Sequence, residues 1–152
     1  MPGKHLRKTL CVMALASALA IAGSPMASAT SNSGTARFDN GQKITANMWI
    51  QSFSWTGCGN WQSSAVMQVS PVYIINTTSF YQIGFGSLSI KGVNIGQSRV
   101  NDTTLSWKNS NGAKGSYLSG SVCGGWGAIY VGADVSAAAY YYGNYRVASA
   151  HV

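Results

Sequence analysis

Ser136-Ala-Ala-Ala-Tyr-Tyr-Tyr-Gly-Asn-Tyr-Arg-Val-Ala-Ser-Ala-His151 is the stretch on which the fold reading turns. Gly143-Asn144 is a two-residue hairpin signal, and it predicts strands over 136–142 and 145–151. Closure there pairs Tyr142 with Tyr145, Tyr141 with Arg146 and Tyr140 with Val147. Opposed residues share a face of the sheet. One face then carries Tyr140, Tyr142, Tyr145, Val147, Ser149 and His151. The other carries Val135, Ala137, Ala139, Tyr141, Arg146, Ala148, Ala150 and Val152, and its small apolar side chains mark it as the core side, where a second sheet can approach closely. A short helix over 135–142 with Asp134 as N-cap is the competing reading. Three consecutive tyrosines favour strand.

Working outward, the same period of two recurs from Lys43. Trp49, Gln51, Phe53 and Trp55 fall on one face, with Ala46, Met48, Ile50, Ser52 and Ser54 on the other. Short strands are expected over 64–69 and 72–75, with Pro71 confining the join to an edge or bend. The run from Ser79 to Ile95 mixes strand formers with Gly84, Gly86, Gly92 and Gly96, which predicts bulges and tight turns rather than one straight strand. Thr103–Lys108 and Ser116–Val122, joined by a loop holding Asn111-Gly112, read as a hairpin. The fold class expected is all-β: a single antiparallel β-sandwich or small β-barrel.

The N-terminus reads as a secretory signal peptide. Lys4, Arg7 and Lys8 precede an apolar run from Leu10 to Ala22, and Ala27-Ser28-Ala29 supplies small residues for cleavage before Thr30. The apolar run is shorter than the roughly 20 residues a spanning helix needs. The expected organisation is therefore 1–29 signal peptide of bacterial style, 30–42 flexible lead-in with a turn at Asn40-Gly41, and 43–152 all-β domain. The expected location is extracellular. Seven basic residues then stand against Asp39, Asp102 and Asp134, a net charge of +4. They are scattered along the sequence, which argues against nucleic acid as a partner. Cys11 leaves with the signal, and the remaining pair, Cys58 and Cys123, is expected to form a disulfide in an oxidising compartment.

Catalytic groups are sparse. One histidine, His151, remains near the C-terminus with three separated Asp, and there is no Gly-x-Ser-x-Gly elbow. A Ser–His–Asp set built on His151 with Asp134 or Asp102 has nothing in the sequence to hold it. No catalytic residue, metal ligand set or cofactor is expected. Asn76-Thr77-Thr78 and Asn101-Asp102-Thr103 match the glycosylation sequon, and the second reads as a turn. Cys58-Gly-Asn-Trp61 and Cys123-Gly-Gly-Trp126 share Cys-Gly-x-Trp, which points to a duplicated half whose equivalent turns are joined by the disulfide, with chance in a Gly-rich sequence as the alternative. Trp107-Lys108-Asn109 resembles a short stretch of the avidin-like biotin binders, over a handful of residues that imply nothing further.

Aromatics are the surplus. All seventeen lie beyond residue 29, more than a core of this size absorbs when each can bury 150–250 Å². Tyr140, Tyr142 and Tyr145, with Trp126, are the candidate binding residues. The expected function is a secreted, non-catalytic binding protein whose surface aromatics engage a glycan or cell-envelope component. A bacteriocin-like antimicrobial or toxin acting on a target membrane, and an inhibitor of a secreted enzyme, are the alternatives. The partners expected are accordingly a glycan, an envelope or membrane surface, or a protein.

Overall fold

A computed structural model describes residues 29–51, 57–93 and 98–152. The expected signal peptide therefore lies outside the described residues except for Ala29, as do Phe53, Trp55, Ile95 and Gly96. Ten strands form: β1 (Ala29–Arg37), β2 (Lys43–Gln51), β3 (Cys58–Met67), β4 (Tyr73–Gly84), β5 (Ser89–Lys91), β6 (Ser98–Asn101), β7 (Thr104–Asn109), β8 (Gly115–Cys123), β9 (Ala128–Tyr141) and β10 (Asn144–His151). They make two antiparallel five-stranded sheets, ordered β1-β2-β3-β8-β5 and β10-β9-β4-β7-β6. No described residue is helical, so 135–142 belongs to a strand.

Alternation decides which way each strand faces. Ile44, Ala46, Met48 and Ile50 of β2 are buried, as are Val135, Ala137 and Ala139 of β9 and Ala148 and Ala150 of β10. The small residues read as the core side of the last hairpin do line the core. Its turn differs by a step. Tyr141 pairs with Asn144 and Tyr140 with Tyr145, so the loop is Tyr142-Gly143, not Gly143-Asn144. A type I′ turn needs positive φ at both central positions and favours glycine second, and here φ is 51° at Tyr142 and 79° at Gly143. The slip moves pairing by two residues, so every side chain that remains paired keeps its face, while Tyr142 leaves the strand for the turn. A tyrosine in the left-handed region is strained. Tyr142→Asn should therefore raise stability by about 0.5–1 kcal/mol, seen as a higher urea midpoint at unchanged slope.

Three further expectations are corrected. Residues 30–42 are strand and turn rather than a loose lead-in. β1 pairs with β2 along its whole length, and Gly34 lies so close to the Ser149 carbonyl of β10 that a Cβ there has no room. The segment looks unstructured because an edge strand facing solvent needs no large apolar side chains. Next, β7 and β8 do not form a hairpin. β7 pairs with β6 and β4, whereas β8 pairs with β3 and β5. The connecting loop crosses between sheets, and Ser116 Oγ donates to the Trp107 carbonyl at 2.9 Å across the core. The Cys-Gly-x-Trp echo has no structural counterpart either. Because β3 and β8 run antiparallel, three residues past Cys58 lies inside a strand and three past Cys123 lies beyond one. Trp61 is 0% exposed and Trp126 is 82% exposed.

Cys58 and Cys123 are bonded, directly opposite one another in the β3–β8 register. At the centre of the core sits a small polar cluster. Asn76 Nδ2 donates to Ser63 Oγ at 3.0 Å and to the Ser116 carbonyl at 3.3 Å, and Ser63 Oγ meets Thr78 Oγ1 at 2.5 Å. Hydrogen-bonded groups this deep hold β3, β4 and β8 in one relative position. Asn76 is fully buried, so the first sequon is inaccessible in the folded chain. The second is a turn: Asn101 Oδ1 accepts from the Thr103 amide at 2.9 Å.

Candidate functional site

Strand pairing lays the outward face of the β1-β2-β3-β8-β5 sheet out as a grid. One row runs Ser31, Trp49, Gln62, Ser119, and the next Ser33, Asn47, Ser64, Tyr117. These eight residues line an open groove of about 670 Å³. Trp49 on β2 and Tyr117 on β8 stand diagonally across the grid from one another. Two strand spacings and one two-residue step put their Cα atoms about 12 Å apart. The floor between them is amide and hydroxyl. Asn47 Nδ2 donates to Ser64 Oγ at 3.0 Å, which fixes the plane of that amide, and Gln62 is exposed.

Tyr117 is set as a platform by its neighbour. A Cβ on Gly115 would come within 2.6–2.8 Å of three atoms of the tyrosine ring, so the ring lies across the bare backbone of that glycine. Its outer side is open, and the residue is 63% exposed. Trp49 is half-buried beside the hydroxyls of Ser31 and Ser33. Two aromatic rings framing amides and hydroxyls on an open sheet suit a flat ligand with apolar faces and a polar rim, which is the character of a sugar ring. Neither residue stood out as a site residue in the sequence. The available signal was Trp49 itself, a large aromatic on the polar side of a strand whose other side is apolar.

The residues singled out from sequence lie elsewhere. Tyr140 and Tyr145 are directly opposed on the outward face of the second sheet, and Tyr73 of β4 extends the row. Tyr142 stands apart in the turn, 82% exposed. The row is largely turned upon itself. Tyr73 and Tyr140 stack at 5.7 Å and 14°, and the Lys108 ammonium sits 4.3 Å from the Tyr73 ring centre. The rings thus stack on each other and take a cation, with less open face to offer a ligand than Tyr117 has.

Trp126 belongs to a third surface, the far end of the molecule beyond the disulfide. It stands with Phe85 and Ile129, which are 74% and 77% exposed, and with Ile83 and Tyr130. The two turns that carry Phe85 and Trp126 are buckled together by Gln82, whose Nε2 donates to the Phe85 carbonyl at 2.7 Å and whose Oε1 accepts from the Gly125 amide at 2.9 Å. Gly86 and Gly125 touch so closely that a Cβ on either would meet the other's backbone at under 3 Å. Partial desolvation, with Tyr130 and then Asp134 nearby, raises the Tyr81 phenol above its ordinary value.

His151 lies opposite Asp134, and Asp134 opposite Ser79, so three catalytic residue types share one row. Their order is the difficulty. The carboxylate stands between the imidazole and the hydroxyl, whereas a Ser–His–Asp relay needs the imidazole in the middle. Ser79 Oγ is engaged with Thr104 Oγ1 at 3.1 Å. Among the described residues no group of three His, Cys, Asp or Glu could hold a metal ion, and no described helix is long and apolar enough to cross a membrane.

The fold also gathers charge that is dispersed in sequence. Arg37 faces Lys43 at the end of the β1–β2 pair, Lys108 is the last residue but one of β7, Lys114 precedes β8 and Arg146 is the third residue of β10, so five cations gather at the end opposite the apolar tip. Asp39 is the acid at this end, and Arg146 Nη2 pairs with it at 2.7 Å. No protein-family model matches the chain, and no curated protein matches it.

Proposed function

We propose that the protein is a secreted, non-catalytic glycan-binding protein, and that the groove between Trp49 and Tyr117 takes the sugar chain. One observation carries the reading: two aromatic side chains frame a strip of amides and hydroxyls on an open sheet face, with the Tyr117 ring laid across Gly115. Sugar rings would stack on the aromatics while Asn47, Gln62, Ser64 and Ser119 exchange hydrogen bonds with ring hydroxyls. The disulfide is compatible with an extracellular setting, where envelope and secreted polysaccharides are found. Binding measured against insoluble chitin, cellulose and peptidoglycan and against soluble oligosaccharides tests it. Trp49→Ala should weaken retention on the bound ligand by about 30-fold or more, as expected for loss of an anchoring aromatic worth about 2 kcal/mol. Retention of full affinity in both Trp49→Ala and Tyr117→Ala would exclude the groove as the binding site.

A second reading, an antimicrobial or toxin acting on a target membrane, draws on the tip formed by Phe85, Trp126 and Ile129. Trp and other aromatics seat well at a lipid interface. Dye release from anionic liposomes separates the two. A glycan binder leaves them intact, and leakage that disappears in Trp126→Ser would favour the membrane reading.

A further inference from the structure

We infer that the glycan held by the groove is acidic, its carboxylate groups paired with Arg37 and Lys43 at one end of the face and with Lys91 at the other. The inference rests on the reading of the groove as a sugar site and adds the chemical class of the ligand. Residue parity carries it. Arg37 and Lys43 lie four residues along β1 and β2 from Ser33 and Asn47, on the same outward side, a distance of about 14 Å that a lysine or arginine side chain shortens. Between them and the groove are only Thr35 and Thr45, whose hydroxyls lie 3.4 Å apart.

At the opposite end Lys91 pairs with Ser121, one two-residue step beyond Ser119. All three side chains are exposed. No carboxylate shares the face. The chain holds three acids, of which Asp39 lies in the β1–β2 turn against Arg146, Asp102 in the turn between β6 and β7, where it shares a cavity with Ser89 and Ile90 of β5, and Asp134 on the outward side of the other sheet. A groove bounded by cations at both ends, with no acid among its own lining residues, raises the local concentration of an anionic chain. A neutral glycan would gain nothing from these charges.

Calorimetric titration of the protein with neutral hexasaccharides (cello-, xylo- and chito-series) and acidic ones (oligogalacturonate and hyaluronan) tests this directly, run on wild type, Trp49→Ala and the double variant Arg37→Gln/Lys43→Gln. Wild type should prefer an acidic oligomer, and the preference should shrink as salt is raised. The double variant should lose about tenfold on the acidic ligand, the sum of two exposed ion pairs, while Trp49→Ala loses about 30-fold or more on every ligand bound. Equal affinity for acidic and neutral oligomers, or an acidic ligand indifferent to the double variant, would overturn the acidic class and leave the sugar groove standing. Acidic binding that survives Trp49→Ala but not the charge variant would overturn the groove as its seat. Absence of binding to either series would overturn both readings.

Discussion

Replacing Cys58 and Cys123 together by alanine should cost about 4 kcal/mol of stability, the chain-entropy value for opening a loop closed over a separation of 65 residues. A domain of this size has a total of about 5–15 kcal/mol, so the variant should sit near the limit of folding at body temperature. The bridge joins residues already opposed in the β3–β8 register, so its removal leaves the native pairing available and acts mainly on the unfolded chain. Urea unfolding should show a lower midpoint together with a steeper slope, because the uncrosslinked denatured chain exposes more surface. A loss below about 1 kcal/mol would mean that the cross-link restrains little that the sheet does not already restrain.

A second large effect is expected at Trp61. Among the described residues it is the largest fully buried side chain, packed edge-on to Phe80 with ring centres 4.9 Å apart. Its ring occupies space that exists only because residue 120, opposite it on β8, is glycine. A Cβ there would meet the ring at 3.2 Å and the Lys91 carbonyl at 2.8 Å. Trp61→Ala should cost about 3–5 kcal/mol and Gly120→Ala about 1–3 kcal/mol through overpacking. The double variant should cost less than the sum, since part of the clash at Gly120 disappears with the ring. The three unfolding free energies check this, and strict additivity would show that the two residues do not share the space assigned to them.

Local signals were legible in the sequence wherever a strand has one dry and one wet side. The alternation from Lys43 marked a strand, in the last hairpin it placed Ala137, Ala139, Ala148 and Ala150 on the core side, and parity protected the hairpin faces even though the turn was misplaced by a residue. Partner choice was not legible. Thr104–Asn109 and Gly115–Cys123 have the spacing of a hairpin, yet Trp107 and Ser116 face each other across the core because each strand pairs with remote segments. The edge strand β1 escaped notice because Gly34 and Ala36, its inward residues, give almost no hydrophobic signal.

The site shows the same division. The aromatic surplus pointed to surface rings, and consecutive tyrosines drew attention to Tyr140, Tyr142 and Tyr145. Trp49 and Tyr117 are remote in sequence and become neighbours only through the order β2-β3-β8. The cationic end is likewise a product of topology, since Arg37, Lys43, Lys108, Lys114 and Arg146 form no run.

Backbone amide shifts during titration with a bound oligosaccharide locate the surface that holds the sugar. Perturbations should concentrate on Asn47, Trp49, Gln62, Ser64, Tyr117 and Ser119, across three adjacent strands of one sheet face. Perturbations confined to the Tyr73–Tyr140–Tyr145 row, or to the tip around Phe85 and Trp126, with the groove silent, would contradict a sugar site in the groove.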